Sequence, residues 1–94
     1  MTIIWTDPAF EDLNSIHQYI AKDFAFYASR LIDRILKRVE QLENHPKSGR
    51  VVPEFEIETL RELIEGNYRI IYKINADHIG IVRVHHEKML LTHI

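Results

Sequence analysis

The stretch "TLRELIEGNYRIIYKI" (59–74) decides the fold. Two β-favouring runs flank Gly66-Asn67, a dipeptide suited to a two-residue hairpin turn. Such a turn sets Glu65 opposite Tyr68, Leu63 opposite Ile70 and Arg61 opposite Tyr72. Side chains alternate between the faces of a strand. One face therefore carries Arg61, Leu63, Tyr68, Ile70, Tyr72 and Ile74, and the other carries Glu62, Ile64, Arg69, Ile71 and Lys73. The first is richer in apolar groups and is expected to lie under helices. Arg69 and Lys73 are then expected to point away from the core, with Glu62 diagonally between them. A solvated cross-strand pair of that kind stabilises by roughly 0.2–1 kcal/mol and needs no further role. Arg69 thus reads as a surface cation partnered by Glu62.

Downstream, "HIGIVRVHH" (78–86) is rich in β-branched residues and reads as the next strand of an antiparallel meander. A three-residue loop at 75–77 sets Arg83 opposite Arg69, whereas a four-residue loop sends Arg83 to the other face. Upstream, "HPKSGRVVPEFEIE" (45–58), with two prolines and a glycine, reads as a loop. Before it lie two helical patterns. Asp7 followed by Pro8 reads as an N-cap with proline at the first helical position. Ala9, Leu13, Ile16 and Ile20 then recur at helical spacing over about 8–21. After Asp23, a candidate second cap, Ala28, Leu31, Ile32, Ile35, Val39 and Leu42 form another apolar line, ending near Asn44. Nearly contiguous helices predict an antiparallel hairpin. "TIIW" (2–5) supplies a short first strand. The expected architecture is α+β, in the order β-α-α-β-β-β, with the helical hairpin on one face of a small antiparallel sheet. It spans residues 1–94 as one domain.

With 46% hydrophobic residues, the chain can form one small core. It has no cysteine, so disulfides and thiolate metal sites are excluded. A formal net charge of −2 supplies no surplus of cations for embracing nucleic acid through its phosphates. Apolar runs of a few residues fall far short of a membrane span, and "MTIIWTD" lacks a secretion signal, so a cytoplasmic protein is expected. His85 and His86 are adjacent on a strand and diverge, and no helix carries an HxxxH pair. No metal ion and no cofactor is expected. The tail "KMLLTHI" (88–94) is too apolar for an ordinary solvated end.

The order and spacing of several segments resemble one family. "WTDPAFEDLNSIHQYIAKD", "LENHPKSGRVVPEF", "LRELIEGNYRIIYKI" and "IGIVRVHHEK" are similar, in sequence order, to segments of the RelE/ParE superfamily of toxins from type II toxin–antitoxin systems, often labelled plasmid stabilisation proteins. The resemblance covers nearly the whole chain and implies a compact toxin held inactive by a cognate antitoxin. RelE-like members cleave mRNA in the ribosomal A site with basic residues on the sheet and near the C-terminus. ParE-like members bind DNA gyrase and block it.

Arg69, in "YRIIY", matches the central-strand arginine of the RelE-like enzymes. Their preceding lysine pair has no match in Thr59-Leu60-Arg61-Glu62-Leu63, and their basic pair after the last strand is replaced by Lys88-Met89. The tail "LLTHI" lacks their tyrosine, leaving His86 or His93 as a substitute base. The resemblance therefore implies a ParE-like gyrase inhibitor with no catalytic residues of its own. The alternatives are a ribosome-dependent mRNA endonuclease and a non-toxic homologue that only binds antitoxin. Candidate target- or antitoxin-binding residues are Arg61, Arg69, Arg83, His86, Lys88, Met89, Leu90 and Leu91. Met89, Leu90 or Leu91 is the expected apolar anchor for an antitoxin, with Arg61, Arg83 or Lys88 steering its acids; the alternative is that residues 89–94 add to the toxin's own sheet edge.

Overall fold

The structure, a computed structural model, describes residues 1–92. Five strands, β1 (Thr2–Trp5), β2 (Arg50–Val51), β3 (Leu60–Glu65), β4 (Tyr68–Ile74) and β5 (His78–His86), form one sheet in the order β1-β5-β4-β3-β2. One helical span, α1 (Asp7–Glu40), precedes a short 3₁₀ turn at Gln41–Glu43.

The helix begins one residue earlier than expected. Thr6, not Asp7, is the N-cap: its hydroxyl accepts from Ala9 N at 3.3 Å and donates to Ile81 O at 2.8 Å. One side chain thus caps the helix and ties its first turn to β5. Asp7 instead sits in the first turn, where the helix dipole favours an acid.

The span breaks at Phe24, whose φ of −141° and ψ of 67° are not helical. Its two arms, 7–23 and 25–40, form the expected hairpin. His17 Nε2 lies 3.4 Å from Ser29 Oγ, 12 residues on. Along a straight helix those positions would be about 18 Å apart. Ala9 and Leu13 on the first arm and Ala28, Leu31, Ile35 and Val39 on the second are buried.

Around the β3–β4 turn the register is the one read from the sequence, with Glu65 opposite Tyr68, Leu63 opposite Ile70 and Arg61 opposite Tyr72. Gly66 takes φ +57°, a left-handed conformation that glycine adopts without penalty. Leu63, Ile70 and Tyr72 pack under the hairpin with Ile79, Ile81 and Val84.

Three expectations about the sheet need correction. It is mixed rather than antiparallel, because β1 runs parallel to β5, Thr2 beside His78 through Trp5 beside Ile81. Residues 45–58 are not wholly a loop, since β2 pairs with β3, Arg50 opposite Glu62. Neither loop length anticipated for 75–77 gives the observed position of Arg83. The register shifts between Ile71 and Tyr72, so Ile71 faces Arg83, Tyr72 faces Ile81, and His85 faces Arg69. A β-bulge inserts one unpaired residue into the ladder, which a count of loop residues cannot reveal.

The far face of the sheet is also covered. Val52, Leu60, Ile71 and Leu91 form a second buried cluster with Phe55 and Val82 packed against it. The segment after β2 and the chain after β5 fold across that face. Among the described residues, no helix is long and apolar enough to cross a membrane.

Candidate functional site

Where the far face was expected to be open, four charged side chains are linked in a chain, Arg50–Glu62–Arg69–Glu54, whose two central members are buried. Glu62 is only 1% exposed and Arg69 only 5%. Arg69 Nε donates to Glu62 Oε1 at 2.7 Å, while Nη1 and Nη2 grip the two oxygens of Glu54, each at 2.7 Å. Arg69 Nη1 also donates to Met89 O at 3.1 Å. Arg50 closes the other end, its Nε donating to Glu62 Oε2 at 2.6 Å. Glu54 Oε2 accepts a further bond from Leu91 N at 3.1 Å.

The partner assigned to Arg69 from the sequence is therefore present, but the surface location is not. Desolvation makes an unpaired charge costly here, so the network holds only as a satisfied whole. The Glu54 carboxyl is held down to about 2, from an ordinary 4.5, above all by the hydrogen bonds from Arg69. A depressed carboxyl contributes stability that is complete above pH 4.5 and lost as pH falls toward 2. We expect the urea midpoint of the protein to decline over that window, and Glu54→Gln to flatten the decline; an unchanged slope in the variant would contradict the assignment.

The sequence reading missed Glu54 and Arg50, yet a signal was present. Both lie in "GRVVPE" (49–54), and so does Gly49. A Cβ on Gly49 would stand 2.5 Å from Glu62 O and 2.6 Å from Tyr72 Oη, so only glycine lets this segment lie against β3 and β4. Gly49 N donates to Tyr72 Oη at 3.0 Å, and Tyr72 Oη donates to Pro46 O at 2.7 Å.

The other sequence-derived candidates separate into fastened and free groups. Arg61 is fastened: it donates to Glu58 O at 3.0 Å, to Glu58 Oε1 at 3.0 Å and to Gly49 O at 2.9 Å, holding the loop against β3. Arg83 is bidentate on Asp12 at 2.8 and 3.0 Å, and Val84 N donates to the same carboxylate at 2.9 Å. Asp12 therefore occupies the edge of β5 beyond the reach of β1. Leu91 is buried in the second cluster at 5% exposure, while Leu90 beside it is 77% exposed. Met89 and Lys88 are exposed as well. His86 is exposed, lies edge-on to Tyr68 with 5.6 Å between centroids, and accepts from Lys88 N at 3.2 Å. His93, the other candidate base, lies outside the described residues. A cleft of about 610 Å³ runs past Arg50, Pro53, Ile64, Lys88 and Leu90, with Arg69 and Glu54 in its wall.

A helical hairpin on a mixed five-stranded sheet is a fold shared with solved structures from toxin–antitoxin systems. It is similar to a solved structure of a chromosomal ParDE system from P. aeruginosa, with a TM-score of 0.77 and 21% identity over 92% of this chain and 95% of that one. It is also similar to the RelBE2 toxin–antitoxin complex of Mycobacterium tuberculosis, with a TM-score of 0.65 and 21% identity over 90% and 95%.

Sequence comparison narrows the class. Residues 3–91 match the family described as the ParE toxin of type II toxin–antitoxin systems, and the chain belongs to that family within the RelE/ParE superfamily. It is 32% identical to Toxin RelE2 of Caulobacter vibrioides over 89 residues, 94% of this chain and 97% of that protein. It is 37% identical to the putative toxin Y4kP of Sinorhizobium fredii over 86 residues, 89% and 85% of the respective chains. This is a toxin of the type II class.

Proposed function

We propose that this toxin acts in the cytoplasm by binding DNA gyrase and blocking it, and that a cognate antitoxin neutralises it. The observation that carries this reading is the state of Arg69. Cleavage of ribosome-bound mRNA would need a cation at the scissile phosphate and a group to move the 2′-hydroxyl proton. Arg69 stands at the matching position, but its guanidinium already meets Glu54, Glu62 and Met89 O within 3.1 Å. A phosphate there would confront two carboxylates. The endonuclease reading draws on His86, an exposed imidazole beside Lys88, and on the name RelE2 borne by one relative.

The antitoxin is assigned to the cleft along Lys88, Leu90 and Ile64. Ile64 and Leu90 offer apolar anchoring there, and Arg50 and Lys88 offer cations to its acids. Arg61 and Arg83, committed to Glu58 and Asp12, leave that steering role, and Leu91 serves the fold.

In a supercoiling assay with purified gyrase, the toxin is expected to inhibit, and a peptide or protein antitoxin seated on the cleft to relieve it. Full gyrase activity at a large molar excess of folded toxin would reject the reading.

A further inference from the structure

The break in the helical hairpin displays aromatic rings that lie outside both cores. Tyr19 is 77% exposed and Phe26 76%; Phe24 and Tyr27 are also exposed. None of the four belongs to either core cluster or packs against one. Exposed rings gathered within nine residues of chain, 19–27, are the kind of patch that marks a contact surface.

Two arginines complete it. The Arg30 guanidinium lies 5.7 Å from the Phe26 centroid, and that of Arg34 lies 5.7 Å from the Tyr27 centroid. At that distance each cation is attracted to the ring it lies over. Among the described residues Arg30 makes no ion pair, and Arg34 meets only Glu65, at 3.7 Å.

Beside this end lies a separate cleft of about 360 Å³, between the first arm of α1 and β5, bordered by Ile16, Tyr19, Tyr68, His86 and Met89. In its wall His85 Nδ1 is buried with no hydrogen-bond partner among the described residues. Burial, then the Arg83 charge, pushes the His85 imidazole down, so it is neutral near pH 7. Its ring can therefore meet either a donor or an acceptor.

We propose that this aromatic end is the surface with which the toxin grips its target, and that it takes an acidic segment of the target protein. An apolar anchor of that segment fills the cleft while its carboxylates meet Arg30 and Arg34. Charge selects this occupant: a second copy of the chain would bring the same guanidinium groups against one another. The surface is also distinct from the cleft at Lys88 and Leu90 assigned to the antitoxin. The proposal rests on the reading of the chain as a binding inhibitor of gyrase.

The test is Tyr19→Ala with Phe26→Ala, positions outside the core, together with Arg30→Glu as an independent variant. Each is compared with the parent toxin for growth arrest without antitoxin, for inhibition of purified gyrase, and for antitoxin affinity. Both variants are expected to melt like the parent, keep antitoxin affinity within about twofold, and lose at least about tenfold in growth arrest and gyrase inhibition. Undiminished growth arrest by soluble, folded variants would overturn the proposal, as would loss of antitoxin affinity without loss of growth arrest. If the parent arrests growth without touching gyrase, the gyrase reading fails. The surface is then still judged by whether the variants relieve the arrest.

Discussion

Arg69→Ala is expected to destabilise the fold by about 3–5 kcal/mol, the effect of leaving buried charge without its partner. The substitution removes the donors to both Glu54 oxygens and to Glu62 Oε1. Glu62, 1% exposed, would keep only Arg50, and Glu54 would keep only Leu91 N among these contacts. Because Arg69 also holds Met89 O, the C-terminal segment should loosen over the second core cluster. Urea denaturation of parent and variant measures the loss. Replacing Glu54, Glu62 and Arg69 together by glutamine should cost less than Arg69→Ala alone, since the one charge left without its partner is then Arg50, whose side chain is exposed. A loss below about 1 kcal/mol in Arg69→Ala would mean that the guanidinium is solvated, as a surface pair would be.

Ile35→Ala should cost about 2–5 kcal/mol. Ile35 is fully buried on the second arm of α1, in the cluster that joins both arms to β3, β4 and β5. Truncation leaves a cavity between the second arm and the sheet that the surrounding side chains fill only in part. Ile35→Val, which removes a single methylene, should cost about 0.5–1.5 kcal/mol by the same logic. Thermal melts of the two variants give the comparison. A loss of only a few tenths for alanine would remove Ile35 from the core.

These two residues also mark how far the sequence alone could be read. Ile35 was legible because an apolar residue at helical spacing has one place to go, and the same periodicity located Leu31, Val39 and Leu42. The β3–β4 register was legible because a two-residue turn leaves the pairing no freedom. Arg69 was legible only in part. Alternation placed it on the face opposite the helices, beside Glu62, but its burial depends on Glu54 and Leu91, which are 15 and 22 positions away. No local rule brings a loop and a C-terminal segment over the far face. The position of Arg83 was likewise hidden, since it follows from a bulge and from Asp12 across 71 residues. The parallel placement of β1 depends on where the hairpin returns the chain, a tertiary fact. Among the interface candidates, apolar character alone could not separate Leu91, which is buried, from Leu90, which is not.

Arg69 belongs to the scaffold, and the proposed action by binding rests on that placement. The most direct measurement is primer extension on mRNA from a translating ribosome system given the purified, folded toxin. Intact message at concentrations that inhibit gyrase is the expected result. Cuts at fixed codon positions, appearing with the toxin and suppressed by its antitoxin, would contradict the account.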